Sequence, residues 1–580
     1  MSLNISLYNL VPKSKKNFFT KVLLFVLDRI LGIHHLDSLY KKNQLCGLEK
    51  HHFFDGLIKA LNLQITGIDE LISKIPEKGP LVIASNHPYG GIEGVVLASS
   101  LERLRPDIKV LANKGLKIFP ELRDYFILTN PLVENDPINA KSIRDCLKHL
   151  SQGGALLIFP AGRVSYFHKD TKRIADHSWH RLLASLVNRS GAKVVSVFVS
   201  GQNSPLFYQL GRIYYRFRLL MLARELANKS NSKIQIAAST AIDSKSYKFV
   251  KDLNLQTQLM RVQSYLMDPS YRKPWPKDPI TEMKPVHPAI KGSIILQEVA
   301  HLPQEQHLLD FNNLAVYYGY KNQIPAVVIE IARLRELVFR QHNEGSGEAL
   351  DTDIFDESYT HLFVMNRETG QIIGAYRMGQ TDRLLSEGDL NKLYLNRMFE
   401  FGPDFVNQKE ACLEMGRSFL IPEYQRNFQG LYLLWRGIGA FVCKYPHYRT
   451  LYGTVSISKL YDQRSVALIE TALVSPTDSV KPRANFSYDL HPEVLDFAQN
   501  HELKNHLTTL LKGIETDGKD LPILLKQYQK MGAQFHCLGI DKSFNDTPGL
   551  LLTVDLPAAP ENYLKLYLGD DWENFVHAKY

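Results

Sequence analysis

The 580-residue sequence predicts two domains, an α/β domain followed by an α+β domain. In the first half, short apolar strands with polar or glycine-rich exits alternate with helical patterns. That order implies a mostly parallel sheet with its site at the strands' carboxyl ends. The second half reads helix, antiparallel hairpin, central strand, helix, strand. Between the halves, Pro269–Pro288 holds six prolines in twenty residues, which forbids a continuous helix or central strand and marks a connection. The expected boundaries are 1–50 for a basic amphipathic N-terminal region, 51–268 for the first domain, 269–290 for the linker and 291–580 for the second domain.

Lys13–Gly32 joins a lysine cluster to an apolar helix. Its longest apolar run, Val22–Leu27, ends at Asp28-Arg29 and is too short to cross a bilayer core of about 30 Å. Lysines beside Phe18 and Phe19 fit a helix lying in the headgroup region, and equally a terminal helix packed on the domain. Met1–Pro12 lacks the pattern of a secretory leader, so none is expected. Five cysteines are scattered without metal-ligand spacing, which points to a reducing compartment and to no metal. Residues 1–300 carry net +18 and residues 301–580 net −9. A basic half suits an anionic membrane surface or an acidic carrier protein. With no zinc-finger, RNP-like or basic-zipper pattern, nucleic acid is not an expected partner.

The central stretch is Leu81–Gly94. Leu81–Ala84 reads as a buried strand, and Asn86-His87-Pro88 breaks it, because a residue before proline is pushed out of the helical region. Gly90-Gly91 permits a tight turn, and a helix from Ile92 carries Glu93 in its first turn. An imidazole and a carboxylate thus meet at the mouth of a strand-turn-helix unit, where the carboxylate can set the tautomer and raise the basicity of His87. Lys109–Ala112 is a further strand, followed by Asn113-Lys114-Gly115. Pro137–Gly153 is helical, Ala155–Phe159 is a strand leaving through Pro160-Ala161-Gly162-Arg163, and Asp176–Gly191 is helical. Lys193–Val199 is a strand leaving through Ser200–Ser204. Arg163 beside such a histidine can bind a carboxylate or phosphate with two parallel hydrogen bonds.

Asn86-His87-Pro88 with Glu93, then Phe159-Pro160-Ala161-Gly162-Arg163, resembles the glycerolipid and lysophospholipid acyltransferases, in particular the hemolysin-like branch. The sequence departs from the family pattern in having five residues between His87 and Glu93, and Ala161 where a glutamate is usual. The resemblance implies an α/β acyltransferase domain in which His87, polarised by Glu93, deprotonates a hydroxyl that attacks a thioester. Gly90 and Gly91 amides would hold the oxyanion, and Asn86, Arg163 and Lys114 would line the substrate path. Loss of the glutamate argues against a glycerol-phosphate acceptor.

In the second half, Ile324–Phe339 is an amphipathic helix, followed by an acidic loop through Asp351, Asp353 and Asp356. Thr360–Asn366 and Gln371–Met378 form a hairpin. Cys412–Leu420 is a strand, Tyr424–Phe441 a helix and Thr450–Val455 a strand. This order resembles the GNAT N-acyltransferase fold. Arg335, Phe339, Asp353, Phe355-Asp356, Gly374-Ala375-Tyr376-Arg377 and Glu414-Met415-Gly416-Arg417-Ser418 resemble the ornithine-lipid N-acyltransferases, and more distantly the acyl-homoserine-lactone synthases. Glu414 is then the candidate base for an amine, or else the ion-pair partner of Arg417 or Arg377. The loop at Asp351–Asp356 would hold an ornithine ammonium, and an arginine its carboxylate. Gln425–Gly430 lacks the first glycine of a pyrophosphate loop, which favours acyl carrier protein over coenzyme A as donor and needs no resident cofactor.

Together the halves resemble the bifunctional ornithine-lipid synthases over about residues 50–225 and 295–580. The implied activity is N-acylation of ornithine with a 3-hydroxyacyl group, then O-acylation of the new hydroxyl, at the cytoplasmic face of a bacterial inner membrane. The alternatives are an acyltransferase for lysophospholipid, glycine lipid or another amino-acid lipid, and a non-catalytic hemolysin-like membrane-binding protein.

Overall fold

A computed structural model describes residues 6–12, 16–48, 50–114, 116, 120–122, 124–130, 133, 136–276, 283–405, 410–425 and 428–579. Expectations for Lys13, Lys15, Gly115, residues 277–282 of the linker and Arg426-Asn427 lie outside these. The chain forms two compact units, Met1–Arg272 with Leu490–Lys519, and Lys273–Asp489 with Asp520–Tyr580.

The first unit carries a seven-stranded sheet: β1 (Gln64–Thr66), β2 (Leu81–Ser85), β3 (Lys109–Asn113), β4 (Phe126–Thr129), β5 (Ala155–Ile158), β6 (Lys193–Val199) and β7 (Lys233–Ala238). Their order is β1-β7-β6-β2-β5-β3-β4, parallel throughout except between β6 and β7. Every residue of β2 and β5 is buried, which is why both read as unbroken apolar runs rather than alternating ones. The sequence gives no clear signal for β1, β4 and β7, which run three to six residues on the flanks. The helix expected from Asp176 begins only at Leu182, because Asp176 is drawn into a buried polar network.

Residues 490–519, expected in the second domain, pack with the first unit instead. The reason is the helix Leu253–Tyr265, whose buried residues include the polar Gln256, Thr257, Gln263 and Ser264. The helices Pro492–Asn500 and Leu507–Ile514 supply cover and partners: Gln263 donates to the Leu510 carbonyl, and the Thr240 hydroxyl to the Lys512 carbonyl at 2.5 Å.

Helix Phe18–Ile30 is capped by Asn17 and anchored through buried Asp28, which accepts from the Ser6 hydroxyl at 2.6 Å and the Leu7 amide at 3.0 Å. Phe18 and Phe19 are 75% and 83% exposed, and Leu23, Phe25 and Ile30 are also exposed. No helix among the described residues is long and apolar enough to cross a membrane.

The second unit carries β8 (His307–Phe311), β9 (Leu314–Gly319), β10 (Thr360–Asn366), β11 (Ile372–Gln380), β12 (Cys412–Leu420), β13 (Thr450–Ser456), β14 (Gln534–Asp541) and β15 (Thr547–Asp555). Their order is β8-β9-β10-β11-β12-β13-β15-β14. All neighbours are antiparallel except β12 and β13. That one parallel pair joins only Cys412–Met415 to Thr450–Gly453, although β12 continues to Leu420. Beyond Met415 no further register pair joins the two strands.

Candidate functional site

His87 stands two residues past the end of β2, and its backbone is fixed on both sides. Its N–H donates to Asp176 Oδ1 at 3.1 Å and its carbonyl accepts from the Ser165 amide at 2.9 Å. Phe159, just past β5, stacks on the ring with centroids 4.6 Å apart. Nδ1 lies 2.8 Å from Glu93 Oε1, at an angle outside straight hydrogen-bond geometry. No described residue hydrogen-bonds Nε2 on the opposite edge. Burial opposes a charge on the imidazole, but the carboxylate of Glu93, with Asp176 behind it, outweighs burial and raises the His87 pKa. Glu93 is wholly buried. Burial would raise its pKa, yet His87 and the turn's amides hold it low.

The turn amides do not form the expected oxyanion site. Tyr89 and Gly90 donate to Glu93 Oε1 at 3.1 and 2.9 Å, and Gly91 donates to Oε2 at 2.9 Å. A fully buried carboxylate needs such donors, and these three satisfy it. Gly90 has φ +92°, and a Cβ there would fall 2.6 Å from Val164 and Leu222, so glycine is required. Asn86 also has a structural duty rather than a substrate one. Its amide donates to the Val199 carbonyl at 3.0 Å and its oxygen accepts from the Val199 amide at 2.7 Å, stitching the exits of β2 and β6. Asn203 holds the Pro88 and Tyr89 carbonyls from the same side.

His87 opens on a cavity of about 1430 Å³, beyond the usual 300–1,000 Å³ of small-molecule sites. One part is apolar, lined by Tyr40, Phe53, Phe54 and Leu57 among others. Another is polar, with Arg163, His177 and Arg181 in its wall. Arg163 is therefore where the sequence places it. Lys114 is not in the wall: it pairs with Asp136 at 2.8 Å and its side chain is about half exposed.

Asp176 is a site residue that no motif in the sequence marks. Besides His87 N–H, it accepts from the Ser165 hydroxyl at 2.5 Å and the Trp179 indole at 2.9 Å. Its helical surroundings in the sequence conceal it; an Asp-His pair 13 residues after the Phe-Pro-Ala-Gly-Arg block is the available signal.

In the second unit, Glu414 on β12 is buried and makes no ion pair with a described residue, so neither Arg377 nor Arg417 neutralises it. Oε1 accepts from the Tyr359 hydroxyl at 2.9 Å and the Leu395 amide at 3.3 Å, and Oε2 from the Tyr452 hydroxyl at 3.2 Å. Burial pushes its pKa up to about 7 against those donors. Glu344, not singled out as a site residue, is a second buried carboxyl pushed up to about 7 by burial, with Ser456 and Arg417 as its polar neighbours.

The acidic loop is not open to an ammonium group. Arg335 grips Asp356 with two bonds of 3.1 Å and lies 3.0 Å from Asp351 Oδ2. Arg377 donates to Asp353 at 2.6 Å and Asp356 at 3.1 Å. Arg335, Arg377 and Asp356 are each at most 2% exposed and brace the loop. The pairing is expected physically, since buried carboxylates require compensation.

Arg417 differs. It sits at a bulge in β12, where the register against β11 shifts, with φ +50°, uncommon outside glycine and a mark of functional sites. The bulge turns its side chain onto the face of Arg377, and both guanidinium groups lie about 5 Å from the Tyr394 ring. Its nearest carboxylates, Asp351 and Asp353, are 3.6 and 3.7 Å away, and its N–H groups form no hydrogen bond with described residues. Buried donors are thus available beside Glu414's strand.

The sequence matches two family models, an acyltransferase over residues 18–272 and an acetyltransferase (GNAT) domain over residues 334–436. It is similar to a glycine N(alpha)-acyltransferase of Bacteroides thetaiotaomicron, 28% identical over 281 residues, covering 44% of this chain and 82% of the relative. It is also similar to a lyso-glycine lipid O-acyltransferase of Phocaeicola vulgatus, 28% identical over 222 residues, covering 35% of this chain and 73% of the relative.

Proposed function

Because the chain is an enzyme that transfers acyl groups, with an N-terminal acyltransferase domain and a C-terminal GNAT domain, we propose that it builds a doubly acylated amino-acid lipid in two steps. The GNAT unit joins a 3-hydroxyacyl group to an α-amine, and the first unit esterifies the new hydroxyl. The observation that carries this reading is the His87–Glu93 pair opening on a large, partly apolar cavity, in the same chain as a GNAT sheet bearing buried Glu414.

In O-acylation, the fatty chain of a thioester occupies the apolar part of the cavity. His87 Nε2 takes the acceptor hydroxyl's proton as the oxygen attacks the thioester carbon, and it returns that proton to the departing sulfur when the C–S bond breaks. Such proton transfer contributes roughly 10²–10⁴ in rate. In N-acylation, Glu414 relieves the ammonium of one proton, directly or through the hydroxyls of Tyr359 and Tyr452. Arg417 takes the amino acid's carboxylate, and the acyl-pantetheine arm lies along β12 beyond Met415, where its pairing with β13 has ended.

Glycine is the favoured acceptor. The relatives are named for glycine and lyso-glycine lipid, and the acidic loop that would clamp an ornithine ammonium is paired with arginines. Ornithine is the second reading, on the resemblance carried by Arg335 through Ser418. Acyl carrier protein is the favoured donor on the basic charge of residues 1–300. The exposed apolar helix Phe18–Ile30 supports peripheral attachment to the cytoplasmic face of the inner membrane.

The test supplies the purified chain with 3-hydroxyacyl and acyl carrier proteins and either glycine or ornithine, and reads products by mass spectrometry. His87→Ala should stop at the mono-acylated amide. Glu414→Gln should form no amide yet still esterify added N-(3-hydroxyacyl)glycine. Ester formation by His87→Ala, or no amide from either amino acid with the unaltered chain, overturns the proposal.

A further inference from the structure

A cluster of basic side chains stands beside the main cavity. It is built on the hairpin of Tyr166–His168 and Arg173–Ala175. The Tyr166 ring stacks against His177 with centroids 3.9 Å apart and against His168 at the same distance. The Arg218 guanidinium lies 5.3 Å from the Tyr166 centroid, and that of Arg212 lies 5.1 Å from Phe167. Tyr166 and His168 belong to the wall of the main cavity, with Arg163 and His177, and also to that of a smaller one of about 380 Å³, with Arg212 and Arg218. The cluster therefore stands where the two cavities share residues.

Burial and like charge act together on its members. Arg218 is half-buried, and burial followed by the like charge of Arg163 lowers its pKa. Burial, then Arg218, Arg163 and His168, pushes His177 down to about 4. Among the described residues neither Arg218 nor Arg212 forms an ion pair, and buried Nε2 of His177 has no hydrogen-bond partner. Among the described residues, Asp170 is the carboxylate in the wall of the smaller cavity, and in the wall of the larger Asp176 is engaged by His87, Ser165 and Trp179, Glu493 by Arg261 and Asp496 by Arg173. Arg163 and Arg212 are exposed, whereas Arg218 is partly desolvated and feels the like charge of Arg163, a repulsion that an incoming oxyanion would relieve. The planar fork of arginine matches carboxylate and phosphate with two parallel bonds.

We propose that Arg218 and His177, together with Arg163, form an oxyanion site that holds the charged group of a substrate of O-acylation. This rests on the O-acylation reading above. The shared chemistry is a carboxylate or phosphate oxygen pair, which the amino-acid acceptor and the phosphopantetheine-borne donor both possess. The site extends recognition onto the helix Tyr215–Ala227, beyond the strand exits that carry the catalytic pair.

The experiment has two parts. Steady-state kinetics of Arg218→Gln and Arg218→Lys are measured with acyl carrier protein thioester and N-(3-hydroxyacyl)glycine. They are repeated with a phosphate-free N-acetylcysteamine thioester and with the acceptor's neutral methyl ester. Arg218→Gln should raise KM at least tenfold for one substrate, with kcat within threefold, and Arg218→Lys should recover part of the loss. The loss should vanish when that substrate's anion is absent, which assigns the site to donor or acceptor. Separately, inorganic phosphate should protect the unaltered chain against thermal unfolding more than it protects Arg218→Gln. This part reads the site even if no acceptor is esterified and the functional reading fails. Unchanged KM values, or an equal loss with the neutral analogues, together with equal protection by phosphate, overturns the site.

Discussion

Arg261 donates to Glu493 Oε2 at 2.7 Å across 232 residues of sequence, and the same Nη2 reaches the Asp176 carbonyl at 3.3 Å. Asp176 in turn receives the His87 N–H, so the chain beyond residue 490 braces the loop opposite the histidine. Both side chains are about nine-tenths buried. Glu493→Ala strands the guanidinium in the interior and should destabilise the first unit by about 3–5 kcal/mol. Denaturation with separate O- and N-acylation assays should show the ester-forming step falling while the amide-forming step persists. Equal loss of both would contradict the assignment.

The raised pKa of His87 fixes a pH dependence. A base must be neutral to accept a proton, so ester formation should rise with pH along a limb lying above the ordinary imidazole value. Glu93→Gln removes the carboxylate that favours the imidazolium. The limb should move to lower pH while the maximal rate drops, as kcat/KM profiles will reveal.

For Glu414 the sign runs the other way. Hydroxyl donors lower its pKa, so Tyr359→Phe should raise it further and shift the ascending limb of N-acylation upward from about pH 7. The amino acid's own titration is common to both proteins, so the difference between profiles isolates the glutamate. An unchanged limb would remove Glu414 as the base.

Asn86→Ala leaves the amide and carbonyl of Val199 buried without partners. The expected cost is about 2–5 kcal/mol, read as a lower denaturation midpoint. Asn86→Asp keeps the acceptor for the amide and should recover only part of it.

The exposed helix Phe18–Ile30 supplies a further measurement. Replacing Phe18, Phe19 and Leu23 by serine should reduce co-sedimentation with anionic vesicles severalfold and leave thermal stability nearly unchanged, because these side chains are already exposed. Undiminished vesicle binding would remove this helix as the anchor.

Much of the fold was legible along the sequence. The apolar runs of Leu81–Ala84 and Lys193–Val199, the hairpin near Thr360 and the strand Cys412–Leu420 announce themselves through composition and turn residues, which act locally. The hairpin of β8 and β9, the pair β14–β15 and the short flanking strands carry weaker patterns. Their place depends on neighbours far away in sequence.

The candidate site divides along the same line. Sequence by itself determined that His87 and Glu93 share one turn and that Glu414 and Arg417 share one strand, because covalent spacing sets those distances. Only the tertiary structure decided the fates of their neighbours. The Gly90 and Gly91 amides turned inward to a buried carboxylate, Asp176 came from 89 residues away to hold His87, and Tyr359 and Tyr452, not two arginines, took Glu414. Hydrogen-bond partners are chosen by what burial leaves unsatisfied, and burial is a property of the packed whole.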